Sequence, residues 1–477
     1  MVRARLVAPD GTVLEETDDL GTDGTCGAVD FLVEDPALWW PNGYGEQNLY
    51  RLELSLTPGG GGAGRGLRIG LRELSLCQDP DEWGKSFYFV VNGVPIFAKG
   101  ANWIPADVFP SRITDDQYRD LISSAVSANM NMLRVWGGGI YEDDRFYNLC
   151  DELGILVWQE FMFSCGHYPV NPDVLESVRL EAIDNVRRIR HHPCLALWCG
   201  NNEMEWGVVN WWADTENNEE RQRRYSKIFH ELLPEVIEAE DKATPYWLSS
   251  PASGTPLVEP NGENEGDGHY WDVWHGRQPF TAYRRHYFRF MSEFGFESLP
   301  SVETVKTFAE PKDWNMTSRI MESHQKLEAG NAIILHYMAS NFRIPKDFPM
   351  MVYVSQILQA EAIRYGVEHW RRNRNGNRCL GTVWFAPTKH LELPEVMVRV
   401  DIDELDRISL TSDKTARIRD ARSPRHGRAL QRQLLRPPRR QDNPHSRRKP
   451  EHKYTRGRRK ADGCLTERLI LNAERSV

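Results

Sequence analysis

The 477-residue sequence predicts a multidomain α and β chain. An immunoglobulin-like β-sandwich is expected over residues 1–90, a TIM (β/α)8 barrel over 91–385 and a basic, disordered tail over 386–477. Three observations predict this. Apolar residues alternate with period two in Tyr50-Arg-Leu-Glu-Leu-Ser-Leu56 and for most of Leu67–Leu74, as strands with one solvated face require. From about residue 91, short apolar strands alternate with amphipathic helices, which implies repeated βα units around a parallel sheet. Past Phe385 the aromatics stop: they make up 10% of the whole chain, yet residues 386–477 contain only Tyr454.

The elements follow in order. Pro58-Gly-Gly-Gly-Gly-Ala-Gly64 is a flexible hairpin loop between the first two alternating strands. No Gly-Lys-Ser/Thr follows it, so it is not a phosphate loop. Pro95–Trp103 reads as a strand feeding a polar loop, and Thr114-Asp-Asp-Gln117 is a capping box that opens a helix with Tyr118, Leu121, Ile122 and Ala125 on one face. Asn131–Trp136 is a buried strand running into Gly137-Gly-Gly139. A short helix from Asp143 ends at Gly154, a residue suited to the left-handed position after a helix. Ile155–Phe161, a helix around 173–190, the strand Leu195–Trp198, a helix near 220–240 and a strand near 245–249 continue the alternation. The run around Glu293 and Gly381–Phe385 complete it. Arg and Pro crowd residues 432–450, a composition with too little apolar surface to fold.

Bulk properties bound the function. No stretch approaches the roughly 18 consecutive apolar residues of a membrane-spanning helix, so no membrane role is expected. Net charge is −9 overall, although residues 401–477 carry 21 Lys+Arg against 11 Asp+Glu. An acidic, aromatic body does not invite nucleic acid, and a charge run without interleaved aromatics is usually solvated. The eight cysteines (Cys26, Cys77, Cys150, Cys165, Cys194, Cys199, Cys379, Cys464) stand singly, without metal-finger spacing. His191-His192 before Pro193 reads as a helix end, so no metal and no cofactor is expected. The start lacks the apolar core of a signal peptide, which favours the cytoplasm, and oligomeric state leaves no mark in the sequence.

Two carboxylates stand out. Glu203 closes the apolar run Leu195-Ala-Leu-Trp-Cys-Gly-Asn-Asn-Glu203, and Glu293 lies among aromatics in Phe288-Arg-Phe-Met-Ser-Glu293-Phe-Gly-Phe296. Desolvating a carboxylate at the end of an apolar strand is costly unless it is paired or used. Glycosidic bonds break with a proton delivered to the leaving oxygen and an anion across the ring, work suited to two carboxylates. A gap of about 5–5.5 Å gives retention and a wider one inversion. Asn202 is expected to hold a sugar hydroxyl, Arg134 to orient the nucleophile, and Trp103, Trp136 and Trp206 to offer flat faces to the sugar. Plainer roles compete: Asn201-Asn-Glu203 as a helix cap, Glu293 paired with Arg289, and the tryptophans as core.

Several runs together carry a resemblance. Trp39-Trp-Pro-Asn-Gly-Tyr-Gly45, Gly100-Ala-Asn-Trp-Ile-Pro105, Arg134-Val-Trp-Gly-Gly-Gly139, Cys199-Gly-Asn-Asn-Glu203, His269-Tyr-Trp-Asp-Val-Trp274 and Ser292-Glu-Phe-Gly-Phe296 resemble the β-mannosidases of glycoside hydrolase family 2, over roughly residues 30–385. The resemblance implies a retaining exo-β-mannosidase with Glu203 as acid/base, Glu293 as nucleophile and Trp271 near the sugar. Its partner is then a β-mannoside oligosaccharide or glycoconjugate. Two departures stand beside it. The family's Gly-Trp-Asp-Trp-type loop, from a leading sugar-binding domain, is not found, which implies a start inside the second domain. The sequence also leaves the family pattern after about residue 386, as a frameshifted end would. Another family 2 exo-β-glycosidase and an inactive carbohydrate-binding remnant remain open as alternatives.

Overall fold

In the computed structural model, the described residues are 2–18, 29–56, 64–213, 217–374, 379, 381–384, 398–402 and 408–412. The loop expected at Pro58–Gly64 falls almost wholly outside them, but the strands on either side pair as the alternation predicts. β1 (Val2–Val7), β2 (Val13–Asp18), β3 (Tyr50–Leu56) and β4 (Gly64–Ile69) form one antiparallel sheet in the order β2-β1-β3-β4, with Tyr50 opposite Ile69. Its buried face collects Ala4, Leu6, Val29, Phe31, Leu52 and Ile69 into a small core of its own. The second layer of the expected sandwich is not seen among the described residues. The strand read through Leu67–Leu74 breaks at Gly70, where a Cβ would stand 2.7 Å from the Pro193 ring. The chain then continues as β5 (Leu74–Cys77), β6 (Pro80–Asp81), β7 (Gly84–Lys85), β8 (Tyr88–Val91) and β9 (Val94–Ile96). The three-stranded set β5-β8-β9 packs on the larger core that follows, Phe87 meeting Trp247 and Phe290 with ring centroids 4.7 and 5.6 Å apart.

Eight parallel strands make the sheet of a TIM-like domain: β10 (Ala98–Trp103), β11 (Met132–Val135), β12 (Leu156–Glu160), β13 (Leu195–Cys199), β14 (Tyr246–Trp247), β15 (Gly268–His269), β16 (Met291–Glu293) and β17 (Gly381–Trp384). Their order is β14-β13-β12-β11-β10-β17-β16-β15. Just beyond the two edge strands, the Asp267 N–H donates to Ala252 O at 3.2 Å. The middle strands are buried throughout, which explains their near-continuous apolar sequence.

Helices join the strands where the capping signals place them. α1 (Asp115–Ser127) starts with both halves of the Thr114/Gln117 capping box, and α2 (Asp144–Leu153) stops at Gly154 in the left-handed region, φ 72°. α3 (Pro172–Ile189) is capped by Asn171. The Trp39–Gly45 run ties the first sheet to this domain: Trp39 Nε1–H donates to Asp151 O at 2.8 Å and Asn42 Nδ2 to Met130 O at 2.8 Å. Residues Leu391–Leu465 make a separate unit, of which the described part is an antiparallel pair, β18 (Val398–Ile402) and β19 (Ile408–Ser412). The rest of the segment expected to be disordered lies outside the described residues.

Candidate active site

The parallel register sets Asn102 of β10 directly beside Arg134 of β11, and the completely buried guanidinium of Arg134 becomes the hub of the rim. Its Nη1 donates to Asn102 Oδ1 and to Glu293 Oε1, each at 2.6 Å. Its Nη2 donates to Asn202 Oδ1 at 2.7 Å, and Nε to Glu160 Oε1 at 2.9 Å. One planar fork thus fixes groups from three strands and from the turn after β13, geometry that a lysine's point charge could not reproduce. Glu160 takes its second donor from the Gly137 N–H at 2.7 Å. A Cβ on Gly137 would lie 2.5 Å from Phe163 O, so glycine is needed for that approach. Burial carries the Glu160 carboxyl up to about 7, with Arg134 opposing.

Glu203 sits at the first turn after β13 with φ 58°, a left-handed backbone that costs a non-glycine residue roughly 1–2 kcal/mol. It makes no capping bond with its side chain. Asn201 does that work, its Oδ1 accepting from the Met204 N–H at 3.1 Å and from Ser249 Oγ at 2.7 Å. The helix-cap role therefore falls on Asn201 alone and leaves the Asn202 and Glu203 side chains for the rim. Arg289, the other candidate partner for Glu293, is bound to Asp81 instead, Nη1 to Oδ1 at 2.9 Å.

His269 joins the two glutamates. Its Nδ1 lies 2.8 Å from Glu203 Oε1 and 3.4 Å from Glu293 Oε2. One oxygen of each carboxylate and this nitrogen all fall within 4.8 Å of one another. The tautomer follows from the far side of the ring. Ser250 Oγ donates its single proton to Asp267 Oδ2 at 2.6 Å, so at 3.1 Å it can only accept from His269 Nε2–H. Asp267 is held as an acceptor by Ser292 Oγ, by Trp247 Nε1–H and by the Ala252 N–H. Burial lowers His269 to about 4, so the neutral ring carries its proton on Nε2 and presents a bare Nδ1 to Glu203. The short contact then requires a proton on Glu203 Oε1, and burial indeed raises the pKa of that carboxyl. Cys165 Sγ–H adds a weak contact at 3.5 Å to Glu203 Oε2.

The tryptophans divide. Trp271 Nε1–H donates to Glu293 Oε2 at 3.1 Å, within the site. Trp206 is half-buried, its ring perpendicular to His269 with centroids 6.4 Å apart. Trp136, half-buried just past β11, packs against Gly138, where a Cβ would approach its ring to 2.0 Å. Trp103 is a correction to the sugar-facing role expected of it. It is 2% exposed, packs against Phe146 at 4.8 Å and bonds Glu142 through Nε1 at 2.9 Å, as a core residue does.

The sequence reading missed His269 as a functional group, together with Ser250, Asp267 and Glu160. Glu160 closes an apolar strand just as Glu203 does, a signal that could have found it; Ser250 and Asp267 carry no local signal. Glu203, His269 and Glu293 are spaced closely enough to hold a cation, but Arg134 already brings positive charge to Glu293. Asp151, His192 and Cys194 form a second such group, fully buried, with Asp151 Oδ2 2.6 Å from His192 Nδ1 and Oδ1 accepting from the Cys194 N–H at 3.0 Å. It ties α2 to the start of β13.

The model of the family "Glycosyl hydrolases family 2" matches residues 3–72. β-Mannosidase B of Aspergillus clavatus is 40% identical over 379 residues, covering 77% of this chain and 44% of that protein. β-Mannosidase B of Aspergillus terreus is 41% identical over 367 residues, covering 74% and 43%. The chain thus spans less than half the length of these relatives. Among solved structures, a β-D-mannosidase from Dictyoglomus thermophilum superimposes with a TM-score of 0.72 at 37% identity, over 84% of this chain and 52% of that one. An exo-chitosanase from Amycolatopsis orientalis (TM-score 0.59, 18% identity, 80% of this chain and 45% of that one) shares the fold.

Proposed function

Because the chain belongs to glycoside hydrolase family 2, we propose that it is a retaining exo-β-mannosidase, releasing terminal non-reducing β-D-mannose from β-mannosides by double displacement. The observation that carries this reading is the approach of Glu203 and Glu293, through one oxygen each, to within 4.8 Å. An approach this close is in keeping with the short carboxyl separation of retaining enzymes, in which one carboxylate attacks the sugar to form a covalent glycosyl-enzyme.

The two environments divide the labour. Arg134 and Trp271 donate to opposite oxygens of Glu293, as befits an ionised nucleophile whose attack on the anomeric carbon forms the ester. Glu203, buried and facing the bare Nδ1 of His269, holds the proton that passes to the glycosidic oxygen as the leaving group departs. In the second step Glu203, now a carboxylate, takes a proton from water as that water opens the ester and restores Glu293. Asn202, fixed by Arg134, is placed to bind the hydroxyl beside the anomeric centre, where hydrogen bonds tighten in the transition state.

Hydrolysis of p-nitrophenyl β-mannoside by the chain and by Glu203→Ala and Glu293→Ala tests this. Each substitution is expected to lower kcat/KM by at least ~10²–10⁴-fold, and 1H NMR should show β-mannose as the first product. Turnover unaffected by either change would remove the proposed mechanism.

A further inference from the structure

The sheet order leaves β14 and β15 at its two ends, and β15 is only two residues long. On one side this strand is well paired: the Gly268 N–H donates to Phe290 O at 2.9 Å and the Tyr270 N–H to Glu293 O at 2.8 Å. Successive residues of a strand turn their backbone groups to opposite sides, so the N–H and C=O of His269 face the seam toward β14. His269 is buried, and both groups need partners. The side chain of Asn261, rather than a strand, supplies them. Its Oδ1 accepts the His269 N–H at 2.8 Å and its Nδ2 donates to His269 O at 2.9 Å. The carboxamide thus presents, in one side chain, the acceptor and donor that a neighbouring strand would offer.

The loop that carries Asn261 is itself tied down at several points. The Leu257 N–H donates at 2.8 Å to Glu205 Oε1, on the turn that carries Glu203. Asn264 O accepts the Lys85 N–H at 3.1 Å, and Glu263 Oε2 accepts the Tyr287 N–H at 2.8 Å. Leu257 and Glu259 hold left-handed backbones, φ 60° and 41°, which persist in non-glycine residues only where the surroundings fix them. One loop therefore grips the turn of Glu203 and the backbone of its imidazole partner. We propose that Asn261 is a positioning residue for proton delivery: by standing in for a strand beside His269, it holds the imidazole against Glu203. The inference rests on the assignment of Glu203 as the acid. The ring spans 2.8 Å to Glu203 Oε1 on one side and 3.1 Å to Ser250 Oγ on the other. A backbone shift of about 0.5 Å would break one contact or the other.

The test compares kcat/KM for β-1,4-mannobiose, whose sugar leaves only with a proton, with that for 2,4-dinitrophenyl β-mannoside, whose phenolate leaves without one. In Asn261→Leu, a change of similar volume, the ratio of the first to the second should fall about tenfold, part of the ~10²–10⁴-fold that a general acid supplies. Asn261→Asp keeps the shape but turns an oxygen toward His269 O, and should lower the ratio in the same direction. Lys85→Ala removes the ion pair with Glu265 on the same loop and touches neither His269 nor Glu203, so the ratio should hold. Equal losses on both substrates in the Asn261 variants would reduce the residue to a structural support and overturn the proposal, as would the same fall in Lys85→Ala. If the chain hydrolyses neither substrate, the hydrolase reading fails separately. Nitrogen-15 NMR of histidine-labelled protein then decides the positioning, with the His269 signals assigned through His269→Gln. The Nδ1 signal should move in Asn261→Leu and Asn261→Asp, and a signal that stays in place overturns the role given to Asn261.

Discussion

Replacing Ser250 with alanine should move the alkaline limb of activity without touching either glutamate. In the native chain the Ser250 hydroxyl is committed to Asp267 and accepts the His269 Nε2–H, which leaves Nδ1 bare toward Glu203. That bare nitrogen favours protonated Glu203. In Ser250→Ala the Nε2–H loses its acceptor, and the ring gains by carrying its proton on Nδ1 and donating it to an ionised Glu203. The reversal exchanges a hydrogen bond donated by the neutral acid, ~0.5–1.5 kcal/mol, for one accepted by its anion, ~1.5–3 kcal/mol, a net gain of ~1–1.5 kcal/mol for the ionised form. Stabilising the anion in this way lowers the pKa of Glu203 below that in the native chain. The acid must be protonated in the free enzyme, so activity is lost as pH rises through its pKa, and the lower value shifts that loss toward acid. The assay is the pH profile of kcat/KM on p-nitrophenyl β-mannoside, with circular dichroism confirming the fold. An alkaline limb that stays in place while kcat/KM falls equally at every pH would refute the tautomer argument.

Two further outcomes follow from the buried hub. Arg134→Met strands Glu160 and Glu293 in the interior, and loss of one partner of a buried ion pair costs ~3–5 kcal/mol. The thermal midpoint should therefore fall, and Arg134→Met with Glu160→Gln should recover part of the loss in a double-mutant cycle. Glu160 itself is raised from 4.5 to about 7 by burial, so the folded chain binds this proton more tightly than the unfolded one. The stability it contributes is present below about 4.5 and is lost as pH rises through about 7. Glu160→Gln should flatten that slope, by on the order of 3 kcal/mol between pH 4.5 and 8 in denaturant titrations; an unchanged slope would place the titration elsewhere.

Most of the α/β grammar was legible because it is local. The Thr114–Gln117 capping box, Gly154 at a left-handed position and the unbroken apolar runs of β11, β12 and β13 each act within one element. The strands from Leu74 onward do not join the first sheet, and the reason is non-local: Phe87 and Phe89 pack on Trp247 and Phe290 of the adjoining domain. Glu203 and Glu293 stood out because desolvated carboxylates are conspicuous in apolar sequence. The Ser250–His269 connection was invisible, since it joins ordinary polar residues whose meeting depends on the sheet's register. Trp103 misled because an indole's sequence context does not say which way the ring points; the acceptor that decides it is Glu142, 39 positions along the chain.

Trapping with 2-deoxy-2-fluoro-β-mannosyl fluoride, followed by peptide mass mapping, bears most directly on the glutamate pair. The fluorine at the 2-position slows opening of the ester more than its formation, so the sugar should remain attached to Glu293, with Trp271→Phe slowing the labelling. Attachment at any other carboxylate, or complete turnover that never leaves a sugar on the chain, would contradict the double displacement assigned to Glu203 and Glu293.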